Sequence, residues 1–485
     1  MANPDDSDFD DFVLGAMNAT VSSEIGDNII ASDLEDTVLH NFSDEEEDIS
    51  DEEGVQRNIP GRPNQWDNVS NNDPGPSTTI PVYNVNQGPN LPSSITADSL
   101  PIDYFDLFFN DNLINLICTE TNYNANLKKT HRHSPHARLN KWTELSSVDL
   151  KAFIGTVINM GTMPLPRLES YFTTNWESRT QFYRDVFSKD EFLNIFWNIH
   201  FNHHQGQGDS GQKDFLIRPV IEHVRNMTHM NMLFYYPSNR VAIDESTISF
   251  KGTVSFKIYN PLKPTKFGLK LFVLSDCCNV FIYDFIPYFG KNDVIPGSEL
   301  LKTTQIVKSL CQSVILKNPG APASGLYVYT DRYYTSTELA SELLNMNTYL
   351  TGTVMPTRKQ MPPDLQATTK KLKKGEIISQ RNGNILVVSW RDKRVIHMLS
   401  THGKGSKSGV TDVASRWPNK PPVTKPNVVV DYTKHMGAVD RSDHFISSYE
   451  FMRRTKKWYR KMVFWLLEVC IIDSYLLYKQ VQKDS

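Results

Sequence analysis

Cysteine is scarce and unpatterned. The five in 485 residues are Cys118, Cys277, Cys278, Cys311 and Cys470, and none shows the C-x-x-C spacing of a zinc ribbon or redox pair. Their odd number and scatter argue against a disulfide framework and for a reducing compartment. Long apolar runs are missing as well, since none reaches the roughly 18–20 residues a bilayer-spanning helix needs. The N-terminus carries acids where a secretory signal carries bases, so neither secretion nor membrane insertion is expected. The most informative absence is that of Lys and Arg from residues 1–56, which hold 18 Asp and Glu. The net charge of −4 hides this split: the 55 acids less those 18 leave 37 against 51 Lys and Arg, a body of +14. A basic body behind an acidic tail favours a polyanionic partner, most naturally nucleic acid.

What is present reads in blocks. Residues 1–97 mix acids, Asn, Ser and Pro, as in "SDEEEDISDEE" and "NNDPGPSTT", a composition expected to stay disordered because it buries too little apolar surface to offset ordering entropy. Residues 98–237 have helical periodicity. In "SSVDLKAFIGTVINMG" Ser146 and Asp149 form a capping box ahead of a stripe of Leu150, Phe153, Ile154, Val157 and Ile158. Ser188 and Glu191 repeat the device before Phe192, Ile195, Phe196 and Ile199.

From residue 238 strands take over. "NRVAIDESTISF" reads as a strand, and "LKLFVLSDCCNVFIYDFIPY" as two β arms around a turn at Asp276 to Asn279. "TTQIVKSLCQSVI" is helical, "GLYVYT" a strand, and "TSTELASELLNM" a helix boxed by Thr335 and Glu338. The spacing predicts an α/β unit with a mixed sheet over 238–354 and again over 426–450, interrupted by an inserted subdomain at 355–425. The second part opens with a short strand at "NVVVD", followed by a Gly break and a helix from about Ala438. Residues 451–485 place six bases ahead of an apolar-rich helix.

Three acids lie just past apolar elements: Asp244 after "VAI", Asp331 after "YVYT", and Asp440 at a helix start after "VVV". In open α/β sheets such an edge is where ligands bind. Carboxylates converging there need a cation, and hard oxygen donors select Mg²⁺ or Mn²⁺. Two such ions clamp the attacking and leaving oxygens of a phosphodiester. Each acid also reads as an ordinary turn former or helix cap, and Asp276, Asp284 and Asp431 stand in similar settings. Spacing alone leaves these alternatives open.

Longer motifs narrow them. "RVAIDESTISFKG", "YNPLKPTKFGLKLF", "TDRYYTS" and "MGAVDRSDH", with "TNYNA", "WTELSSVDLKAFIGTVINMGTMPLP" and "FWNIHF" upstream, occur in the order found in piggyBac DNA transposases. The resemblance covers roughly residues 100–480. It implies an RNase H-like α/β catalytic domain beside an all-α dimerisation and DNA-binding domain, with the C-terminal helix packing on the latter. Catalytic acids would be Asp244, Asp331 and Asp440, with Asp443 as a fourth metal-binding carboxylate and Mg²⁺ or Mn²⁺, as a pair of ions, for cofactor. Ala438 stands where the family commonly has Gly, and His444 where Gln is common.

The resemblance further implies a nuclear homodimer acting on double-stranded DNA, cutting and joining transposon ends at TTAA. Lys263, Lys266 and Lys270 would contact phosphates near the acids, or else form a solvated strand face. The basic run Arg453, Arg454, Lys456, Lys457, Arg460 and Lys461 reads as binding DNA backbone, serving nuclear import, or both, with a solvated helix start as the other reading. The other reading consistent with these residues is a domesticated DNA-binding or chromatin-associated protein that keeps the fold without transposing. The family's usual cysteine-rich module after the last helix has no counterpart up to Ser485.

Overall fold

The structure is a computed structural model that describes residues 65–69, 73–77, 80–131, 134–175, 180–203, 213–225, 234–261, 263, 265–290, 300–315, 325–405, 409–414, 421–448, 450–451 and 455–484. The chain enters on two short strands, β1 (Asp67–Asn68) and β2 (Gly88–Pro89). Six helices follow: α1 (Pro101–Phe108), α2 (Asp111–Lys129), α3 (Ser147–Thr162), α4 (Gln181–Val186), α5 (Lys189–Asn198) and α6 (Arg218–Arg225). The two expected capping boxes form. Ser146 Oγ accepts from Asp149 N and Ser188 Oγ from Glu191 N, while each acid accepts from its cap's backbone N–H. Leu150, Phe153, Phe192 and Phe196 are buried on the faces so positioned.

The second half builds one mixed sheet. After β3 (Tyr235–Tyr236), which pairs with β2 outside it, come its strands β4 (Arg240–Ser249), β5 (Ile258–Tyr259), β6 (Phe267–Asp276) and β7 (Ile282–Pro287). Helix α7 (Lys302–Ile315) leads to β8 (Leu326–Thr330), α8 (Thr337–Asn345) and β9 (Thr348–Thr353). Then come α9 (Leu365–Thr369), β10 (Ile377–Asn382), β11 (Ile385–Arg391), β12 (Val395–Ser400) and a hairpin of β13 (Val410–Val413) with β14 (Val423–Pro426). Helices α10 (Asn427–His435), α11 (Ala438–Ser448) and α12 (Trp458–Asp484) close the chain. The order across the main sheet is β1-β10-β11-β12-β9-β8-β4-β6-β5, with β7 also on β6. Strand β4 runs antiparallel to β6 and parallel to β8, and β8 parallel to β9.

Four expectations change. Residues 65–97, expected to be disordered with the rest of the tail, have described stretches that lie against the sheet. Trp66 Nε1 donates to Gln360 O, β1 pairs with β10, Asp73 is buried in an ion pair with Arg381 at 2.7 Å, and Tyr83 OH donates to Pro237 O. Gly325, at φ +64°, lets this strap cross closely, since a Cβ there would stand 2.3 Å from Pro81 O. Residues 1–64 lie outside the described residues. The segment 355–425 is no separate subdomain, because β12 pairs with β9 and carries β10 and β11 into the main sheet. "NVVVD" is helical, with Val428, Val429, Tyr432 and Met436 buried at helical spacing against Tyr329, Leu386 and Trp390. Finally, Ser336 rather than Thr335 caps α8, while Glu338 turns away to accept from Thr304 Oγ1 and Leu301 N.

Helix α12 ties the halves together, contacting α1 and α6 on one side and β4 and α11 on the other. Its Met462, Trp465, Leu466, Leu467 and Leu477 belong to one core that runs through helices and sheet alike. Among the described residues no helix is long and apolar enough to cross a membrane.

Candidate active site

The parallel pairing of β8 with β4 ends at Thr330 opposite Ile243, so Asp331 emerges beside the next residue of β4, Asp244. There the chain turns back at once. Asp331 Oδ1 accepts from Tyr333 N at 2.9 Å, and its carbonyl accepts from Thr335 N and from Thr335 Oγ1. Beneath the turn, a Cβ at Gly352 of β9 would lie 2.4 Å from Thr330 O and 2.2 Å from Thr335 Oγ1. The strand-end acid is therefore a turn former and a neighbour of Asp244 at once.

Helix α11 brings the remaining acids. Asp244 and Ser246, two apart on β4, share a face. Ser246 Oγ donates to Asp443 Oδ1 at 2.6 Å, and Asp440 lies one turn nearer the start of α11. Helix and strand thus meet with Asp440 toward Asp244, and the charges confirm the proximity. Burial first, then the charges of Glu245, Asp440 and Asp331, push the Asp244 carboxyl well above the usual carboxylate range. Burial and then the Glu245 charge raise Asp331 to about 7. Burial also lifts Asp443 to about 7, the Ser246 bond opposing it and Asp440 adding to it. Asp440, at the exposed rim, is raised by desolvation and Glu245 against the pull of Lys263.

Geometry also sorts the alternatives. Asp276 is fully buried and accepts from Tyr235 OH, Ser238 N and Oγ, and Cys278 N. Asp284 pairs with Arg225, and Asp431 binds Arg240, Tyr329, His402 and His435. These acids are occupied in holding the fold. Asp244, Asp331, Asp440 and Asp443 have no ion-pair partner within reach among the described residues.

Glu245 carries no signal in the linear motif. Its side chain leaves β4 on the face opposite Asp244, where it accepts from Tyr334 OH at 2.6 Å and pairs with Lys270 Nζ at 3.2 Å. The available signal was alternation across the β4–β6 pair, which sets Glu245 and Thr247 on the face of Phe272 and Lys270. Lys270, expected at phosphate, is therefore largely buried and committed to Glu245, with Tyr333 under its ammonium at 4.5 Å. Lys263 and Lys266 are exposed. Partial desolvation lowers the Lys263 ammonium, but the charges of Glu245 and Asp244 outweigh it and raise it.

The C-terminal basic cluster divides. Lys456 and Lys457 are exposed, and Arg453 and Arg454 lie outside the described residues. Arg460 and Lys461 are only 2% and 7% exposed, which departs from the expected surface role. Both are packed in the first turn of α12, where Arg460 Nη2 donates to Trp197 O at the end of α5 and Lys461 reaches Glu450.

Among the described residues no three His, Cys, Asp or Glu side chains are grouped closely enough to enclose a metal ion. As donors, however, the acids suit a hard divalent cation: all oxygen, mutually repelling and free of ion pairs.

Comparison with known proteins agrees with this architecture. The transposase IS4 family model matches residues 100–475. Among human proteins, piggyBac transposable element-derived protein 3 is 26% identical over 391 residues, covering 79% of this chain and 62% of that protein. PiggyBac transposable element-derived protein 2 is 23% identical over 82% of this chain and 64% of its own length, so this chain spans less than two thirds of either. In structure, the chain is similar to the piggyBac transposase in a synaptic complex with hairpin DNA solved by cryo-EM, with a TM-score of 0.67, 22% identity, and 82% and 78% of the two chains covered. Matched over most of its length by the family model and related in sequence to piggyBac-derived proteins, the chain belongs to the piggyBac transposase family.

Proposed function

We propose that the edge formed by Asp244, Asp331 and Asp440 cleaves and joins phosphodiesters of double-stranded DNA, in the manner of a TTAA-specific cut-and-paste transposase. One observation carries the reading: of seven candidate acids, the fold engages Asp276, Asp284 and Asp431 in buried hydrogen bonds or ion pairs, and leaves the other four, among the described residues, without an ion pair and near one another where β4, β8 and α11 meet. The strand order β7-β6-β4-β8-β9, antiparallel as far as β4 and parallel after it, supports an RNase H-like domain. The structural neighbour captured with hairpin DNA supports DNA as the partner.

Asp244, Asp331 and Asp440 would hold Mg²⁺ or Mn²⁺, with Asp443 beside them. Bound there, such ions polarise the scissile phosphate and lower the pKa of an attacking water or 3′-hydroxyl. The chain's own part is positional. Strand β4 and the Asp331 turn fix two carboxylates rigidly, Ser246 anchors Asp443, and exposed Lys263 and Lys266 offer phosphate contacts on the same side. Nuclear location and a homodimer accompany this function.

The test is nicking of a labelled duplex bearing TTAA, in Mg²⁺ or Mn²⁺. Asp244→Asn, Asp331→Asn and Asp440→Asn should each bind DNA as wild type does and fail to cut. Asp443→Asn, whose carboxylate is already held by Ser246, should keep partial activity in Mn²⁺. Wild-type activity in Asp331→Asn overturns the assignment. Binding without cleavage by the wild type itself would instead favour a domesticated DNA-binding protein, a reading to which the human relatives named as transposable element-derived lend weight.

A further inference from the structure

Between Asp244 and the edge of the sheet lies a hairpin of unusual composition. From Lys251 to Ser275 the chain carries Lys251, Lys257, Lys263, Lys266 and Lys270 and not one acid. At its base Tyr259 of β5 and Phe267 of β6 are direct cross-strand partners with ring centroids 4.6 Å apart. Both rings stay open to solvent, at 58% and 38% exposure. Lys257 Nζ lies 5.4 Å from the Phe267 ring centroid, held there by a bond to Gly252 O. Phe267 lies six residues along β6 from Val273, the cross-strand partner of Asp244, so alternation puts the aromatic pair and Asp244 on one face of the sheet, and the loop joining the two aromatics carries Lys263.

We infer that Tyr259 and Phe267 form a stacking platform for a nucleobase of the DNA strand that runs from the acids along this hairpin. The inference rests on the function proposed above and adds to it a site that grips a base. Two observations select this occupant. With Lys270 committed to Glu245, the remaining Lys251, Lys257, Lys263 and Lys266, with no acid among them, call for a polyanion, and an exposed aromatic pair among them calls for a partner with a flat apolar face. A strand of nucleic acid supplies both, and base–aromatic stacking tolerates any sequence. The platform is remote from the chemistry: Phe267 lies six residues along β6 from Val273, the partner of Asp244, or about 20 Å at ~3.3 Å per residue. The base held is therefore one flanking the reacting phosphate. Removing the platform should weaken binding and raise KM while the rate of the bound complex stays near that of wild type.

Fluorescence anisotropy at low salt tests this with three probes: a TTAA duplex, a single-stranded oligothymidylate, and an abasic oligonucleotide of equal length. Wild type should bind oligothymidylate more tightly than the abasic strand. Tyr259→Ala and Phe267→Ala should lose about tenfold on oligothymidylate, the effect of deleting one stacking interaction, and little on the abasic strand. Phe267→Trp should retain affinity, and Lys263→Gln should weaken both strands alike. Equal loss on both strands in the alanine variants, or no loss on either, overturns the platform and leaves the proposed function standing if the duplex still binds. Failure of the wild type to bind any of the three overturns both. Thermal melts confirm that each variant is folded, and the Tyr259→Ala variant, on the two-residue edge strand, keeps the test decisive if Phe267→Ala is not.

Discussion

At the scale of single residues, the acids at the sheet edge are held at a cost to the fold. Burial pushes the Asp331 and Asp443 carboxyls up to about 7 in the folded chain, against about 3.9 in an unfolded one. Between about pH 4 and 7 the native state thus binds more protons than the unfolded one, and stability falls as pH rises through that window. In chelator, the melting temperature should fall from pH 5 to pH 8. Asp331→Asn, which removes one titrating group, should flatten the fall and raise the melting temperature at pH 8 by a few degrees. Mn²⁺ should stabilise wild type at pH 8 far more than at pH 5, because protons and the ion compete for the same oxygens. Identical pH slopes in wild type and Asp331→Asn would show that Asp331 is not buried in the company of other charges. Gly352 makes the complementary case by shape alone. A methyl there meets a backbone carbonyl at 2.4 Å, so Gly352→Ala should cost about 1–3 kcal/mol and, by displacing the Asp331 turn, abolish nicking at temperatures where the variant is still folded.

At the scale of elements, the strap of residues 65–97 separates two truncations. Removing residues 1–64 leaves every described interaction of the strap in place and should leave the melting temperature unchanged. Extending the deletion to residue 97 strips β1 from β10 and leaves Arg381 buried without Asp73. Breaking such a pair by removing one partner costs about 3–5 kcal/mol, so the longer truncation should melt well below the shorter one. Equal melting temperatures would mean the strap is bound without stabilising. The same elements show what the sequence made legible. Strands β4, β6, β7 and β8 and helices α3, α5 and α7 follow local rules of alternation, helical stripe and capping box, and each is readable from them. The strap is not, because its hydrogen bonds run to Gln360, Arg381 and Pro237, partners that no local pattern encodes. Helix α10 departs from its local signal for the opposite reason: three consecutive valines have high strand propensity, and burial of Val428, Val429, Tyr432 and Met436 on the sheet overrides it. In the site, only Asp331 stands just past a strand as its local pattern suggests; Asp244 lies inside β4 and Asp440 in the first turn of α11, so their meeting depends on tertiary packing. Glu245 is not legible at all, since its significance depends on Lys270 and Tyr334 arriving from other elements.

At the scale of the whole molecule, charge is partitioned along the chain in a way that the net value of −4 conceals. The 18 acids of residues 1–56 precede a body of +14, and the exposed part of that positive charge includes Lys263, Lys266, Lys456 and Lys457. Burial of Arg460 and Lys461 narrows the C-terminal surface available to phosphate to fewer side chains than the run "RRTKKWYRK" suggests. Lys456→Gln with Lys457→Gln should accordingly weaken DNA binding irrespective of sequence and reduce the slope of log K against log salt by about 0.9 for each phosphate no longer neutralised. Arg460→Gln should act differently. It uncaps the end of α5 and loosens α12, lowering the melting temperature without a specific change in salt slope. An acidic stretch tethered to a basic surface competes with DNA for it, and the competition is electrostatic, hence confined to separations below a Debye length of about 10 Å at 0.1 M salt. Deleting residues 1–56 should therefore raise DNA affinity at low ionic strength, and the gain should shrink as salt rises while the melting temperature stays fixed. A gain that persists undiminished at high salt would exclude charge competition and assign the restraint to steric occlusion. No gain at any salt would show that the acidic stretch and the DNA-facing lysines do not meet.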